Sequence, residues 1–429
     1  MKKIKTIGKR IDDTGKPILE LLEHEDIEWL GEECKILPKE KKIVDRLEEK
    51  FHIQIISNPN TIRIRTQNHV GVIEFEHFVL RVKPKFVKSG ENFGKLIDFT
   101  NNSKGQLFDD EIKFEGVYDE PIQIIINNFI DTTQKLIHNG LYRSYVEHQE
   151  DVSFLRGKLI MKQQIQNDLK YNMKFNCEFD EFTSNNLENQ IILFTLKLCK
   201  SLTKLPHKKK MIQKLIHQLD SQIDDKHITI QDFRKISYTR LNTRYEKPHH
   251  LAKIIIKNIG MQTLNYQKTK FIIPFFVKMY DVWELFLENL FKYYYDNDNK
   301  LKIKSQGHHE AWFKDGKKNA IIKPDIIIKN KHNKILSIID AKYMHEIKDG
   351  ERYQIAFYLN HLKCSTGYAL LPKERNEDCE FSVPKQNISI KVRHIPIDEY
   401  LDILYSKKPF KEIKEEISLK LKKLIPLEN

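Results

Sequence analysis

Asp325, Asp340 and Lys342, in the last third of the chain, are the residues whose types and spacing could together do chemistry. They stand in Ile321-Ile-Lys-Pro-Asp325-Ile-Ile-Ile-Lys and in Ile335-Leu-Ser-Ile-Ile-Asp340-Ala-Lys342-Tyr, two β-rich runs joined by a polar turn from Asn330 to Asn333. Strand pairing in such a hairpin brings Asp325, which opens the first run, near Asp340, which closes the second, although fourteen residues lie between them. Two close carboxylates repel and raise each other's pKa unless a cation lies between them. Mg²⁺ suits such a pair, since it takes one or two carboxylates with waters and phosphate oxygens, and Mn²⁺ has a similar taste for oxygen. Lys342 lies two residues beyond Asp340 and so points to the same face of a strand. From there an ammonium can orient the attacking water and offset charge developing on a phosphate. These parts make up an apparatus for metal-dependent hydrolysis of a phosphodiester. A surface hairpin with a salt bridge would have the same spacing, but each acid here borders an apolar run.

Two further elements can reach this hairpin. Upstream, Glu284 lies in Tyr-Asp-Val-Trp-Glu284-Leu-Phe with apolar residues on both sides, as a third acid on a helix or as part of a solvated helix face. Downstream, Arg352-Tyr-Gln354-Ile-Ala-Phe-Tyr358 opens a helix that can bring Gln354 and Tyr358 over the site, although packing and capping are the ordinary roles of such residues. Other motifs carry less. Gly90-Glu-Asn-Phe-Gly94-Lys95-Leu96 is one residue short of a phosphate loop and has Leu96 where a metal-binding hydroxyl is needed. His308-His309-Glu310 lacks a second ligand pair at helical spacing. Arg234, Lys235, Arg240, Arg244 and Lys247 suit either phosphate contacts or a solvated face.

The elements that must position these residues follow from periodicity. Residues 43 to 86 read as a helix followed by three neighbouring antiparallel strands around Thr61, Val70 and Phe78. Asn92 to Thr100, Pro121 to Gly140 and Asn185 to Leu219 have helical apolar spacing, the last interrupted by a basic turn at Pro206-His-Lys-Lys-Lys. Ile230 to Ile259 reads as further helix with a break near Pro248, and Phe276 to Tyr295 as one long helix. Strands then follow at Asn319 to Lys329 and Lys334 to Asp340, a helix at Tyr353 to Leu362, and strands at Gly367 to Leu371 and Ile388 to Ile395. The expected organisation is mixed α/β: an N-terminal sheet-containing domain over 1–120, a mainly helical middle over 121–262, and a C-terminal α/β domain over 263–429.

Composition narrows the partners. With 40% hydrophobic and 31% charged residues the chain is globular. Its net charge of +13 points to a polyanion, nucleic acid being the usual one. Five cysteines without a CxxC pair argue against a zinc ribbon or a disulfide framework. The basic start lacks the apolar core of a signal peptide, and Phe271 to Leu290 is broken by Pro274, Lys278, Asp281, Glu284 and Glu288. No membrane span is expected, and the cytoplasm is the expected location.

The C-terminal region resembles the PD-(D/E)xK (restriction-endonuclease-like) nuclease fold. More narrowly, the chain resembles the McrC family, the nuclease subunit of McrBC-type 5-methylcytosine restriction systems. The resemblance rests on Asp281-Val-Trp-Glu284, Lys323-Pro-Asp325, Asp340-Ala-Lys342-Tyr and Tyr353-Gln354 in the nuclease part. In the middle it rests on Leu155-Arg-Gly-Lys-Leu, on Cys177-Glu-Phe-Asp-Glu-Phe-Thr-Ser-Asn-Asn-Leu-Glu-Asn and on Arg240-Leu-Asn-Thr-Arg-Tyr; nearer the N-terminus it rests on Val70-Gly-Val-Ile and Val82-Lys-Pro-Lys-Phe. It implies that Asp325, Asp340 and the helix acid Glu284 bind Mg²⁺, with Mn²⁺ as a substitute, that Lys342 is the catalytic lysine and that Gln354 supports it. It also implies two partners: modified double-stranded DNA, and a hexameric McrB-like AAA+ GTPase that this subunit stimulates, docked by the part preceding the nuclease, with the N-terminal domain over 1–120 expected as the docking domain. Two rivals stand beside that expectation, a stand-alone repair nuclease and a non-cleaving DNA-bound activator of an AAA+ motor.

Overall fold

The computed structural model describes residues 3–6, 15–30, 35–101, 121–203, 206–259, 275–295, 301–305, 309–314, 317–374, 377–383 and 387–426. Two compact units emerge where three consecutive domains are expected: Met1–Pro121 folds with Pro274–Asn429, and Ile122–Ile273 forms the second unit.

The first unit begins with β1 (Lys3–Thr6), β2 (Ile18–Leu22), β3 (Asp26–Leu30), α1 (Lys41–Phe51), β4 (Gln54–Asn58), β5 (Thr61–Arg65), β6 (His69–Glu74), β7 (Val79–Lys83) and α2 (Gly90–Asn101). The three strands expected as one small sheet are divided: β5 belongs to the order β1-β3-β5-β4, while β6 and β7 are antiparallel neighbours in a second sheet that β2 also joins. Both β2–β3 and β5–β6 change sheet at one corner. There the Thr66 hydroxyl donates to the Leu22 carbonyl and the His24 N–H to that of Gln67, with His24 at φ +59°. Alternation along β3 and β5 buries Ile27, Trp29, Ile62 and Ile64 in a core shared with Leu19, Leu21, Phe78 and Leu80. The phosphate-loop-like Gly90 to Leu96 is simply the start of α2.

The second unit comprises α3 (Pro121–His138), β8 (Ser144–Val152), β9 (Lys158–Leu159), α4 (Met161–Leu169), β10 (Phe175–Thr183), α5 (Leu187–Leu202), α6 (Pro206–Asp220) and α7 (Glu246–Ile259). Beside the expected helices stands a three-stranded antiparallel sheet, β8-β10-β9. Pro206 and its lysines open α6 and make no turn, and Pro248 sits in the first turn of α7, where a missing N–H costs nothing. Residues 232–245 form only short 3₁₀ turns, tied to α5 by the Tyr245 hydroxyl donating to Asn189 Oδ1 at 2.6 Å. In the basic cluster, Arg244 donates to the Asn139 and Gly140 carbonyls and Lys235 pairs with Asp232. Gly157 has φ +68°, and a Cβ there would lie 2.3 Å from the Glu178 carbonyl oxygen, so the Leu155-Arg-Gly-Lys turn requires glycine. Since Phe175 pairs with Val152, the loops after β8 and before β10 leave the sheet at the same end. They carry the exposed side chains of Phe154, Leu155, Tyr171 and Met173.

The chain re-enters the first unit through β11 (Phe275–Lys278), which pairs with β6 and completes the sheet β11-β6-β7-β2. The long helix expected from Phe276 is therefore a strand followed by α8 (Met279–Leu290) and a π-helical turn to Tyr295. Then come β12 (Leu301–Ser305), β13 (His309–Lys314), β14 (Lys317–Ile322), β15 (Ile326–Asn330), β16 (Ile335–Ala341), α9 (Asp349–His361), β17 (Thr366–Pro372), β18 (Cys379–Val383), β19 (Ile388–Ile395), α10 (Ile397–Leu404) and α11 (Phe410–Leu424). Six strands form the sheet β12-β15-β16-β17-β19-β18, with β16, β17 and β19 mutually parallel and α9 crossing from β16 to β17. The strand expected from Asn319 to Lys329 is broken at Lys323–Asp325: β14 pairs with β13, and β15 starts afresh in the large sheet. Pro324 lacks the N–H that an unbroken ladder would need. Ile338, Ile355, Leu359, Ala369 and Ile390 form the core between α9 and the sheet. Among the described residues no helix is long and apolar enough to cross a membrane.

Candidate active site

The β15–β16 hairpin brings the two aspartates together. Ile326 pairs with Ile339, so Asp325, one residue before, stands opposite Asp340, one residue after. The Ala341 N–H donates to Asp325 Oδ2 at 2.7 Å and fixes that carboxylate across the hairpin. Asp340 is buried near the carboxyl end of β16, beside parallel β17, the end of an open α/β sheet where ligands bind. One residue past the end of β16, the Lys342 N–H donates to the Leu370 carbonyl at 2.9 Å and prolongs the parallel ladder.

Lys342 is the hub. Its Nζ lies 2.6 Å from Asp340 Oδ2 and donates to Gln354 Oε1 at 2.9 Å, while Gln354 Nε2 donates to the Tyr358 hydroxyl at 2.7 Å. Gln354 and Tyr358 are one turn apart on α9, which places both on the face toward the hairpin. Tyr353, beside them, is exposed and turned away. From the other side, the Trp283 indole on α8 donates to the same Leu370 carbonyl at 3.1 Å. Its neighbour Glu284 is half-buried and close enough for its charge to act on Asp325.

Electrostatics follow from this packing. Burial, then the charge of Asp340, pushes the Asp325 carboxyl up to about 8; the Ala341 N–H and Lys342 oppose this and Glu284 adds to it. Burial alone would lower the Lys342 ammonium, but Asp340 and Asp325 hold it above the ordinary lysine value, so it is charged at neutral pH. A lysine held this way is a donor and a positive charge; it is not a base.

The donor set suits a hard divalent cation. Asp340 Oδ2 is buried and accepts no well-aligned hydrogen bond, even with Lys342 Nζ so near, and Asp325 opposite it has its carboxyl raised by burial first and by the charge of Asp340 second. Two carboxylates of this kind match the share of ligands that protein supplies to Mg²⁺. Among the described residues no three His, Cys, Asp or Glu side chains gather into a preformed cage. Glu284, expected as a third metal ligand, therefore does not join the two aspartates in one cluster, although its charge acts on Asp325. His308 and the side chains of His309 and Glu310 lie outside the described residues.

The raised Asp325 carboxyl has a measurable consequence. Unfolded, it titrates near 4, so between about 4 and 8 the folded chain binds the proton more tightly. Its contribution to stability is complete below about 4 and is lost as pH rises through 8. In metal-free buffer, Asp325→Asn is expected to lose less melting temperature than the parent between pH 6 and pH 9. The gap should be at least about 2 °C, the shift that roughly 1 kcal/mol gives a large domain. Parallel pH profiles in EDTA would contradict the buried, repelled carboxyl.

Tyr358 is legible as a companion of Gln354, whereas Trp283, the Ala341 N–H and Tyr343 carry no spacing signal of their own. Trp283 and Tyr343 stood within the family-like motifs, so their neighbours were the available signal.

A family model described as "McrBC 5-methylcytosine restriction system component" matches residues 64–371. Two solved structures from Thermococcus gammatolerans are similar. One is the refined half-complex from the tetradecameric assembly of McrB AAA+ hexamers with bound McrC, with 18% identity over 95% of this chain and 100% of that chain and a TM-score of 0.59. It shares the fold. The other, the cryo-EM structure of the McrBC complex, has 22% identity over 64% of this chain and 87% of that chain, with a TM-score of 0.43. No curated protein matches.

Proposed function

This chain belongs to the family of McrBC 5-methylcytosine restriction system components, and from that premise we propose that it is the McrC-like nuclease subunit of a modification-dependent restriction system, cutting double-stranded DNA with Mg²⁺ while bound to a hexameric AAA+ GTPase. The observation that carries the reading is the convergence of Asp325, Asp340 and Lys342 at one end of the β15–β16 hairpin, with Gln354 on the lysine. Such a convergence supports the reading of a PD-(D/E)xK centre. The net charge of +13 supports a DNA substrate.

Asp325 and Asp340 would hold the ion, with Glu284 beside them. When bound, Mg²⁺ lowers the pKa of a water and neutralises charge on the phosphate. The chain's own residues do the rest. Ala341 fixes the Asp325 carboxylate through its N–H, and Asp340 holds the Lys342 ammonium charged. Gln354, itself held by Tyr358, aims that ammonium toward the side where a phosphate would lie. The charge of Lys342 then offsets the charge that develops on the phosphate as the bond breaks. Partner contact is assigned to the second unit, whose exposed Phe154, Leu155, Tyr171 and Met173 are an unusual concentration of large apolar side chains on a surface.

The test is cleavage of a methylated plasmid with the AAA+ partner, GTP and Mg²⁺, each omitted in turn. Mn²⁺ is expected to substitute, Ca²⁺ to bind without turnover because its looser coordination positions water poorly, and EDTA to abolish cutting. Undiminished cutting in EDTA would rule out metal dependence. Equal cutting without partner and GTP would favour a stand-alone nuclease. GTPase stimulation with no cutting under any condition would leave only the activator reading.

A further inference from the structure

Glu23 has no part in the chemistry above, yet it is fully buried (0% exposed) and reaches the segment that carries Lys342. It lies at the corner between β2 and β3, and its N–H donates to the Lys83 carbonyl at 3.0 Å, one step past the β2–β7 ladder. Its Oε1 accepts the Tyr343 hydroxyl at 2.7 Å and the Lys85 N–H at 2.9 Å, while its Oε2 is buried without a hydrogen-bond partner. Tyr343 is itself only 2% exposed. Its ring stands edge-on to Phe86 at 5.0 Å and against Tyr280 at 5.9 Å and Trp283 at 6.5 Å.

A carboxyl fully out of water with one bare oxygen costs stability, and an apolar residue paired with phenylalanine at 343 would fill the same space without that cost. The pair is thus poorly accounted for by packing. Its location supplies another account. Lys342 and Tyr343 are consecutive, so holding the Tyr343 side chain limits the peptide from which the Lys342 side chain leaves. The Lys342 N–H is pinned by Leu370 on β17, but past that point the ladder ends and the chain is irregular up to α9. The next anchor along the chain is the Tyr343–Glu23 hydrogen bond.

Building on the nuclease reading above, we propose that Glu23 is a positioning residue for that centre: by holding the Tyr343 hydroxyl it fixes the peptide from which the Lys342 ammonium is aimed at Asp340 and the phosphate. The N-terminal sheets are in this way part of the nuclease apparatus, and a fragment lacking them would carry all its catalytic side chains with the lysine loosely held.

The experiment uses the full chain with its AAA+ partner, GTP, Mg²⁺ and methylated plasmid. Glu23→Ala and Tyr343→Phe are each expected to lower kcat about tenfold with KM for DNA unchanged, the kind of loss a small misplacement causes. The double variant should be no slower than either single one, because both remove one bond. Glu23→Gln keeps an acceptor for the hydroxyl and should retain nearly full kcat. Amide hydrogen exchange across residues 341–345, measured without DNA or metal, should speed up in Glu23→Ala and Tyr343→Phe and stay at the parental rate in Glu23→Gln. Faster exchange with unchanged kcat would overturn the positioning role, and unchanged exchange would overturn the clamp itself. A fall in KM-limited binding alone, or additive losses in the double variant, would also overturn it. Asp340→Ala serves as the control: if it cuts at the parental rate, the nuclease reading fails, whereas exchange in the Glu23 variants still decides whether the clamp exists.

Discussion

Asp340→Ala and Lys342→Ala are each expected to lower DNA cleavage at least about a hundredfold, the usual cost of removing a group that stabilises transition-state charge. The two losses arise differently. Without Asp340, the Lys342 ammonium loses the carboxylate 2.6 Å away while keeping the Gln354 carbonyl, and the hairpin loses one of its two facing carboxylates. Without Lys342, Asp340 remains buried opposite Asp325 without the ammonium 2.6 Å away, and the charge developing on the phosphate has no lysine to offset it. Removing one member of a buried charged pair is also destabilising, so Asp340→Asn and Lys342→Met, which keep volume, are the companion variants. All four should still stimulate the partner's GTPase within about twofold, since none of them alters the exposed apolar loops of the second unit to which partner contact is assigned. Near-parental cutting in Mg²⁺ by either alanine variant would remove the centre from this hairpin.

Acidic substitution of the exposed apolar loops of the second unit should do the reverse. Phe154→Asp combined with Leu155→Asp is expected to lower stimulation of the partner's GTP hydrolysis more than tenfold. Loss of a few buried aromatic or aliphatic anchors commonly costs an interface about 2 kcal/mol or more. Phe154 and Leu155 are 82% and 63% exposed, so replacing them leaves no hole in the core and a folding defect is not expected. The same reasoning changes which fragment is worth testing. A piece ending near residue 260 would remove β11 from the sheet it shares with β6, β7 and β2 and strip the first 121 residues of the C-terminal part with which they fold. Residues 122–273 are the piece that corresponds to a compact unit. GTPase turnover at matched subunit concentrations decides the matter. Stimulation undiminished by the loop variants would move the coupling surface elsewhere on the chain.

Much of the candidate site was legible because its signals are local. Asp325, Asp340 and Lys342 stand at fixed places relative to two β-branched runs, and a hairpin needs only those runs and a polar turn to set their register. Gln354 and Tyr358 follow from helical spacing, and α9 begins four residues before the expected start because Asp349 and Glu351 suit a first turn. The expected strand Ile388–Ile395 matches β19 end to end, since its strict alternation has one interpretation. Where local signals conflict, contacts with distant segments decide the element. Phe275–Lys278 is apolar without period, equally suited to a strand or the start of α8, and only the open edge of β6 made it a strand.

Sequence by itself thus determined the residue types that can do chemistry, the hairpin that joins two of them and most of the helices, all of which depend on contacts within about twenty positions. Tertiary structure decided that the first 121 residues and the last third are one unit, that neighbouring strands divide between two sheets at the Thr66 corner, and that Glu23 meets Tyr343 across 320 positions. Such pairings leave no periodicity in either partner. A glutamate in a turn reads as solvated until the fold brings a buried hydroxyl to it, because the energy of burying a polar group depends on the other chain segments that surround it.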